Sequence, residues 1–420
     1  MDLIKSETPE FKISLLAESA NYDKSAKTSF HPGMLREAEA EYGLDFSSKN
    51  NQSQYKYIKE SDFFRNIYKT VGPGGKCVSL FKVLQTNKCE RNCLYCVNRK
   101  SRNTVRTSFK SEELARIFMN FYRKRYVSGI FLSSGIYDSP LKTMDEMIKT
   151  ILILRNTYKF KGYVHLKILP GVQDAQIEEA MKIADRVSIN LESPEENLLK
   201  RIAPEKRFKE EIFRAINSIK NFDDKGLKVK SGFTTQFISG VLEETDFDLL
   251  KRAVMLYDGF KLRRAYFSGF SPVTYTPFEN KTACPPMREH RLYQADFLMR
   301  LYGFKFTELS FDKGNLSLEK DPKEIWAEQH PELFPLELNK ASYDELVRIP
   351  GVGIKSARRI IEGRKQSSLN EEKLKNMRVV LKRAHKYVLI SGKKVKYGRS
   401  KHEEEEATLF DFRNPYFAEV

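Results

Sequence analysis

The sequence predicts an α/β fold built on a parallel sheet, followed by a C-terminal all-α module. Three observations carry this. Apolar runs alternate with helical patterns between residues 78 and 267, and such alternation implies parallel strands joined by crossover helices. A C-x3-C-x2-C run follows the first strand directly. A Pro-Gly-Val-Gly turn joins two helical patterns near residue 350, inside a basic segment.

Residues 1–60 are polar and weakly periodic. They read as a partly helical extension with a mobile stretch at Ser47–Gln54. The turn Gly72-Pro-Gly-Gly75 lacks the Lys-Ser/Thr of a phosphate loop. Six strands are then predicted: Val78–Gln85, Gly129–Ser133, Tyr163–Leu169, Arg186–Leu191, Phe233–Ile238 and Phe260–Phe267. Helices are expected at Ser111–Met119 and Asp174–Met181, with Ser111 and Asp174 as N-caps, and at Leu292–Tyr302. The barrel region is expected over 61–310, a linker over 311–335, the basic module over 336–400 and a tail over 401–420.

The 420 residues are 40% hydrophobic, ample for a large core. The first residues lack the apolar run of a secretion signal, and no apolar run approaches membrane-spanning length. A reducing cytoplasmic setting without membrane attachment is therefore expected. The net charge is +17. Between Leu336 and Ser400, 17 Lys and Arg stand against 6 Asp and Glu, an excess of 11. Charge clustered in this way suggests a face for a polyanion.

Cys89, Cys93 and Cys96 are the strongest chemical signal. Three thiolates on one short loop can ligate three irons of a 4Fe–4S cube and leave the fourth open. A structural zinc site would want four ligands, commonly as two C-x2-C pairs. Only Cys77 and Cys284 remain, and they do not form such a pair. A disulfide framework does not suit five cysteines in a long chain without a secretion signal. The run, with aromatic Tyr95 before its last cysteine, resembles the radical SAM signature. That resemblance implies a partial (βα)6 TIM-type barrel, a 4Fe–4S cluster and S-adenosylmethionine. It further implies cleavage to a 5′-deoxyadenosyl radical and an electron donor such as flavodoxin or ferredoxin.

Chemistry in such barrels gathers at the C-terminal strand ends. Ser133, Ser134 and Gly135 end strand two and resemble the glycine-containing motif that meets the methionine amino group. Ser188, Asn190 and Glu192 end strand four, where the family contacts ribose hydroxyls, and Gln236 lies on strand five. Capping and turn chemistry is the alternative for each. His165 and Lys167 share one face of strand three and are candidate substrate contacts or a rim pair. Arg263 on strand six suits a phosphate or carboxylate. Cys284 reads as a buried thiol, or as a hydrogen-atom donor.

The run Leu346–Ile361 resembles a helix–hairpin–helix. Pro350, Gly351, Gly353, Lys355, Ser356, Arg358 and Arg359 are its candidate contacts to a nucleic-acid backbone. Amides at the start of the second helix bind phosphate there, and the cations add attraction without reading sequence. Asn339 or Ser342 caps the preceding helix. A protein-packing element is the alternative.

The runs Cys77–Lys82, Cys96–Arg99, Phe131–Gly135, Tyr163–Lys167, Leu199–Lys206, Phe267–Pro272 and Arg288–Asp296 accompany both motifs. Together they resemble a group of DNA modification or repair radical SAM proteins associated with a uracil-DNA-glycosylase-like partner. The resemblance implies an enzyme acting on DNA, on a target flipped out or single-stranded. RNA modification, and a non-enzymatic redox-sensing iron–sulfur DNA-binding protein, are the other readings.

Overall fold

The computed structural model describes residues 9–21, 67–71 and 77–395. The expected stretch at Ser47–Gln54, the turn Gly72–Gly75 and the tail over 401–420 lie outside them. The chain divides into two compact units. The first runs up to Leu242 and takes Met255–Ala283; the second takes Glu243–Val254 and the chain from Cys284 onward.

The first unit holds a seven-stranded sheet in simple order: β1 (Ile67–Val71), β2 (Cys77–Leu84), β3 (Gly129–Ser133), β4 (Tyr163–Lys167), β5 (Arg186–Ser188), β6 (Phe233–Ser239) and β7 (Arg264–Gly269). β2 to β7 are parallel, six strands in sequence order. This sheet fits the partial barrel that the resemblance implies. β1 was not foreseen; it pairs antiparallel with β2, Ile67 opposite Phe81 and Val71 opposite Cys77. The last strand begins at Arg264, not Phe260, because Phe260 ends a helix.

Helices α1 (Pro9–Asn21), α2 (Ser111–Arg123), α3 (Pro140–Leu152), α4 (Asp174–Ile183), α5 (Glu196–Ile202) and α6 (Arg214–Asp224) belong to the same unit. α7 (Asp246–Phe260) contains the division between units. Ser111 and Asp174 are first helical residues, not caps. Lys110 and Gln173 hold the cap positions. The Ser111 hydroxyl donates instead to Glu146 Oε2 at 2.6 Å, and Asp174 takes Arg214 Nη1 at 2.8 Å and Ser218 Oγ at 2.7 Å.

Strand alternation sets the two faces of the sheet. Phe81, Ile130, Leu132, Val164, Leu166, Val187, Phe237 and Phe267 are buried. The opposite parity carries Leu84, Ser133, Lys167, Asn190, Gln236 and Ser268, which line one cavity. That second face is mixed, since it also carries Leu80, Phe131 and Tyr163, which pack into a buried apolar cluster.

The second unit contains α8 (Pro286–Leu301), α9 (Pro322–Gln329), α10 (Tyr343–Leu346), α11 (Ile354–Gln366), α12 (Glu371–Asn376) and α13 (Leu381–Ala384). The expected all-α module is corrected by a small sheet of β8 (Leu336–Glu337), β9 (Val388–Ile390) and β10 (Lys393–Lys394), in the order β10-β9-β8. The Glu337 carboxylate helps close it, accepting from the amides of Ser391 at 3.1 Å and Gly392 at 2.8 Å. Ser342 caps α10 with a reciprocal bond to Glu345, whereas Asn339 accepts from the Leu369 amide.

Candidate active site

The loop after β2 carries Cys89, Cys93 and Cys96 onto one cavity of about 360 Å3. Its shape comes from neighbouring strand ends. The Gly135 amide donates to Thr86 O at 2.8 Å, and the Glu90 amide to Ile136 O at 2.7 Å. A Cβ at Gly135 would sit 2.3 Å from Lys88 O and 3.2 Å from Cys89 Cβ, so glycine is needed for the loop to lie against β3. Across the loop, Arg106 donates to the carbonyls of Asn87, Asn98, Arg99 and Arg102 at 2.5–3.1 Å. Arg91 pairs with buried Glu211 at 2.8 Å and also donates to Glu205 O. These contacts satisfy the carbonyls of an irregular segment that has no ladder of its own.

Burial pushes the Cys93 thiol up, with Cys89 and Glu192 adding to it against the pull of Lys206 and Arg91. Burial, then the Cys93 and Cys89 charges, pushes Cys96 up to about 12. Such thiols become thiolates only beside strong positive charge, which a bound metal would supply. Among the described residues no three His, Cys, Asp or Glu side chains gather around a single ion.

A bulge aims the next pair of side chains. Ser188 sits opposite Thr234, and Glu192 opposite Phe237. Four steps on one strand therefore match three on the other, an extra residue that turns the chain. Buried Thr235 stabilises the turn: its hydroxyl donates to Ile189 O at 2.7 Å and accepts from the Leu191 amide at 3.2 Å. Glu192 has φ +66°, the left-handed region that costs a non-glycine residue strain. Asn190 and Glu192 both reach the cavity as a result.

Lys206 completes this wall. Its ammonium lies 2.9 Å from Glu192 Oε1 and 3.2 Å from the Tyr95 hydroxyl. Burial pulls Lys206 down, but the Glu192 and cysteine charges outweigh it and hold the amine above the ordinary lysine value. Burial and the Glu192 charge raise Tyr95 well above the usual phenol value. No sequence pattern marks Lys206 as a site residue. It follows a helix and has no spacing relation to the cysteines, although it ends the Leu199–Lys206 run.

Of the other candidates, Ser133, Ser134, Gly135, Lys167 and Gln236 also line the cavity. Gln236 Oε1 and Ser134 Oγ are buried there without a hydrogen-bond partner. Ser188 and His165 do not line it. They bond each other at 2.9 Å, and the imidazole stacks on Phe131 at 4.0 Å. Arg263 is exposed and precedes β7, at the strand end opposite the cysteine loop, so the structure does not bring it to the cavity. Cys284 is buried, with its thiol 3.6 Å from Pro285 O, and belongs to the second unit. The Cys77 side chain lies outside the described ones.

Residues 83–254 match the family model described as the Radical SAM superfamily. The match supports membership of that superfamily. Its members are enzymes that use a 4Fe–4S cluster and S-adenosylmethionine. Three thiols on one cavity, with unsatisfied polar atoms on the facing strands, fit both groups. Among solved structures, the chain is similar to an FeFe-hydrogenase maturase, HydG, from Carboxydothermus hydrogenoformans (16% identity, TM-score 0.44, 70% of this chain and 64% of that one). The chain thus spans about two thirds of the length of that protein. It is also similar to methylornithine synthase, PylB (12%, TM-score 0.40, 68% and 75%), and to a radical SAM methyltransferase from Sphaerobacter thermophilus (14%, TM-score 0.41, 52% and 62%). No curated protein matches the chain by sequence.

In the second unit, α10, the turn Pro350–Gly353 and α11 form two helices joined by a tight loop. Gly351 has φ +85°, and a Cβ there would meet Val380 O at 2.6 Å. Gly353 is the N-cap of α11 at φ −89°, so no left-handed backbone requires glycine at that position. Pro350 is buried, and the Ser356 hydroxyl donates to Arg378 O at 3.0 Å. Lys355 and Arg358 are exposed, and Arg359 is half-buried. Buried Lys323, on α9, donates to Val352 O at 2.7 Å, and its ammonium lies 4.8 Å from the Tyr302 ring centre. Among the described residues no helix is long and apolar enough to cross a membrane.

Proposed function

We propose that this chain is a radical SAM enzyme that repairs or modifies DNA in a reducing cytoplasmic setting. The observation that carries the enzymatic part is the single cavity lined by Cys89, Cys93 and Cys96 and by Asn190, Glu192 and Gln236. Cys89, Cys93 and Cys96 would hold the cluster. Asn190 and Glu192 would meet the ribose hydroxyls, with Lys206 fixing the carboxylate. Tyr95, Ser133, Ser134, Gly135 and Gln236 complete the proposed nucleoside wall, and Lys167 is the proposed substrate contact. With both groups bound, the site supplies one-electron cleavage of the sulfonium to a 5′-deoxyadenosyl radical.

The nucleic-acid part rests on the Pro350–Gly353 turn within the +11 segment, read as a helix–hairpin–helix. Exposed Lys355 and Arg358, with Arg359 and the first amides of α11, suit backbone phosphates. Pro350, Gly351 and Ser356 serve that loop through packing. Radical SAM enzymes use electron donors, for which a flavodoxin or ferredoxin is proposed, and a uracil-DNA-glycosylase-like protein is the proposed partner.

Anaerobic reconstitution followed by measurement of 5′-deoxyadenosine tests the reading. Formation stimulated by damaged DNA supports it. Failure to cleave S-adenosylmethionine under reducing conditions would favour a redox sensor. Stimulation by transfer RNA but not by DNA would favour RNA modification.

A further inference from the structure

The rim of the cavity has features that cluster binding alone does not call for. Residues 88–110 contain seven Lys and Arg against one acid, Glu90. Lys100 pairs with Glu90, and Arg91 with Glu211. Arg102 and Arg106 instead direct donors to carbonyl oxygens: Arg102 to Thr274 and Val97, and Arg106 to four in its own loop. A carbonyl satisfies the donor without cancelling the charge, so Arg102 and Arg106 leave a local positive field, opposed by the Glu205 and Glu279 carboxylates that accept from the Asn92 and Tyr275 amides.

Two aromatic rings stand in that field. Tyr137 follows cavity-lining Ile136 and is 49% exposed; Tyr275 follows Val273 by two residues and is 76% exposed. Their backbones are pinned although their rings stay partly exposed. The Tyr137 amide donates to Thr143 Oγ1 at 3.0 Å, and the Thr143 hydroxyl donates back to Tyr137 O at 2.7 Å. Tyr275 has φ +60°, and its amide donates to Glu279 Oε2 at 2.6 Å. The Lys88 ammonium lies 5.1 Å from the Tyr137 ring centre. Scattered exposed apolar side chains need no explanation. Held aromatic platforms beside cations, on the mouth of a cavity, are the arrangement on which unpaired bases stack while the backbone follows the charge.

We infer that this rim binds single-stranded nucleic acid, with bases stacked on Tyr137 and Tyr275 and phosphates near Lys88 and Arg102. The inference rests on the nucleic-acid reading above and deepens it. The substrate at the barrel is an unpaired stretch, bound by contacts separate from the proposed duplex contacts of the second unit.

The test uses the full chain, purified anaerobically, with a twenty-nucleotide oligothymidylate and a duplex of equal length, followed by fluorescence anisotropy. Tyr137→Ala and Tyr275→Ala should each weaken oligothymidylate binding about 5- to 100-fold, the loss expected for one stacked base. Duplex affinity should stay within about twofold, and the Phe variants should retain single-strand binding. Lys88→Gln should flatten the salt dependence for the single strand by about one phosphate contact. Thermal melts confirm folding. The inference is overturned if the double tyrosine-to-alanine variant binds oligothymidylate as tightly as the parent. It is also overturned if that variant keeps its affinity but accepts electrons more slowly from an acidic flavodoxin, because the rim would then serve an electron donor. Parent protein that binds duplex but not single strand sinks the rim alone. Parent protein that binds no DNA or RNA sinks the nucleic-acid reading as well.

Discussion

The Lys206 ammonium sits 2.9 Å from Glu192 Oε1, joining the wall that follows β5 to Tyr95 of the cysteine loop. Both side chains are largely buried, so each carries a charge that the other must balance.

Lys206→Met should therefore leave Glu192 buried without its cation and destabilise the first unit by about 3–5 kcal/mol. Lys206→Met combined with Glu192→Gln should recover part of that loss. Thermal melts of the four proteins give the coupling, and a coupling near zero would mean that the pair is not electrostatically linked. Glu192→Ala alone should weaken S-adenosylmethionine binding in an anaerobic titration without changing iron content.

Replacing any one of Cys89, Cys93 or Cys96 by Ala should abolish 4Fe–4S absorbance after reconstitution, because each thiolate is proposed to serve a different iron. Cys284→Ala should leave the absorbance unchanged, since this thiol is outside the cavity lining. Iron and sulfide content decides the matter: retention in Cys93→Ala with loss in Cys284→Ala would contradict the assignment.

Thr235→Val keeps the shape of the side chain and removes the hydroxyl that holds Ile189 O and the Leu191 amide. A cost of about 1–3 kcal/mol is expected from the two unsatisfied backbone groups. Because the bulge sets Asn190 and Glu192, nucleoside affinity should fall as well. Loss of stability with unchanged affinity would show that the bulge does not position the site.

Burial pulls Lys323 down to about 7, with Arg383 and Arg348 adding to the fall and Asp321 opposing it. An unfolded lysine binds its proton until about pH 10.4, so the folded state loses stability wherever only the unfolded amine is charged more readily. The penalty is full below pH 7 and is relieved as pH rises from about 7 to 10. It amounts to on the order of 4 kcal/mol, offset by the bond to Val352 O. Lys323→Met should raise the melting temperature most at pH 6–7, and the gain should shrink by pH 9. A gain independent of pH would contradict the depressed value.

Gly351→Ala should destabilise the second unit, because its Cβ meets Val380 O in a left-handed backbone. Gly353→Val with Lys355→Glu instead tests the phosphate contact. DNA binding should weaken equally across sequences, with a shallower salt slope, while S-adenosylmethionine cleavage without DNA survives. Equal affinity and slope in parent and variant would remove the hairpin from DNA binding.

The parts of the fold set by period were legible in the chain. β2 and β3 announce themselves as apolar runs, β6 by its aromatic and β-branched residues, and the cysteine spacing singles out its own loop. β1 was hidden because Ile67-Tyr-Lys-Thr-Val71 is short and its pairing depends on a partner rather than on its own pattern. β5 is shorter than its apolar run because the bulge bends the chain after Ser188, and a bulge is set by Thr235, 46 residues from the Ile189 carbonyl it holds. Arg263 falls short of the cavity because the helix runs on to Phe260 and the strand starts only at Arg264, which puts Arg263 ahead of the strand rather than within it. Gly351 and Gly353 look alike in sequence, and only the left-handed backbone at Gly351 and the approach of Val380 separate them.

β1 runs antiparallel along β2, where it occupies one border of an otherwise parallel sheet. A fragment starting at Cys77 would keep every cysteine of the loop and every residue of the cavity wall from β2 onward. It would nevertheless leave the ladder groups of β2 open to another chain. Truncation designed around the catalytic residues alone would thus be expected to yield protein that self-associates through that border. The short strand ahead of the barrel therefore matters for solubility.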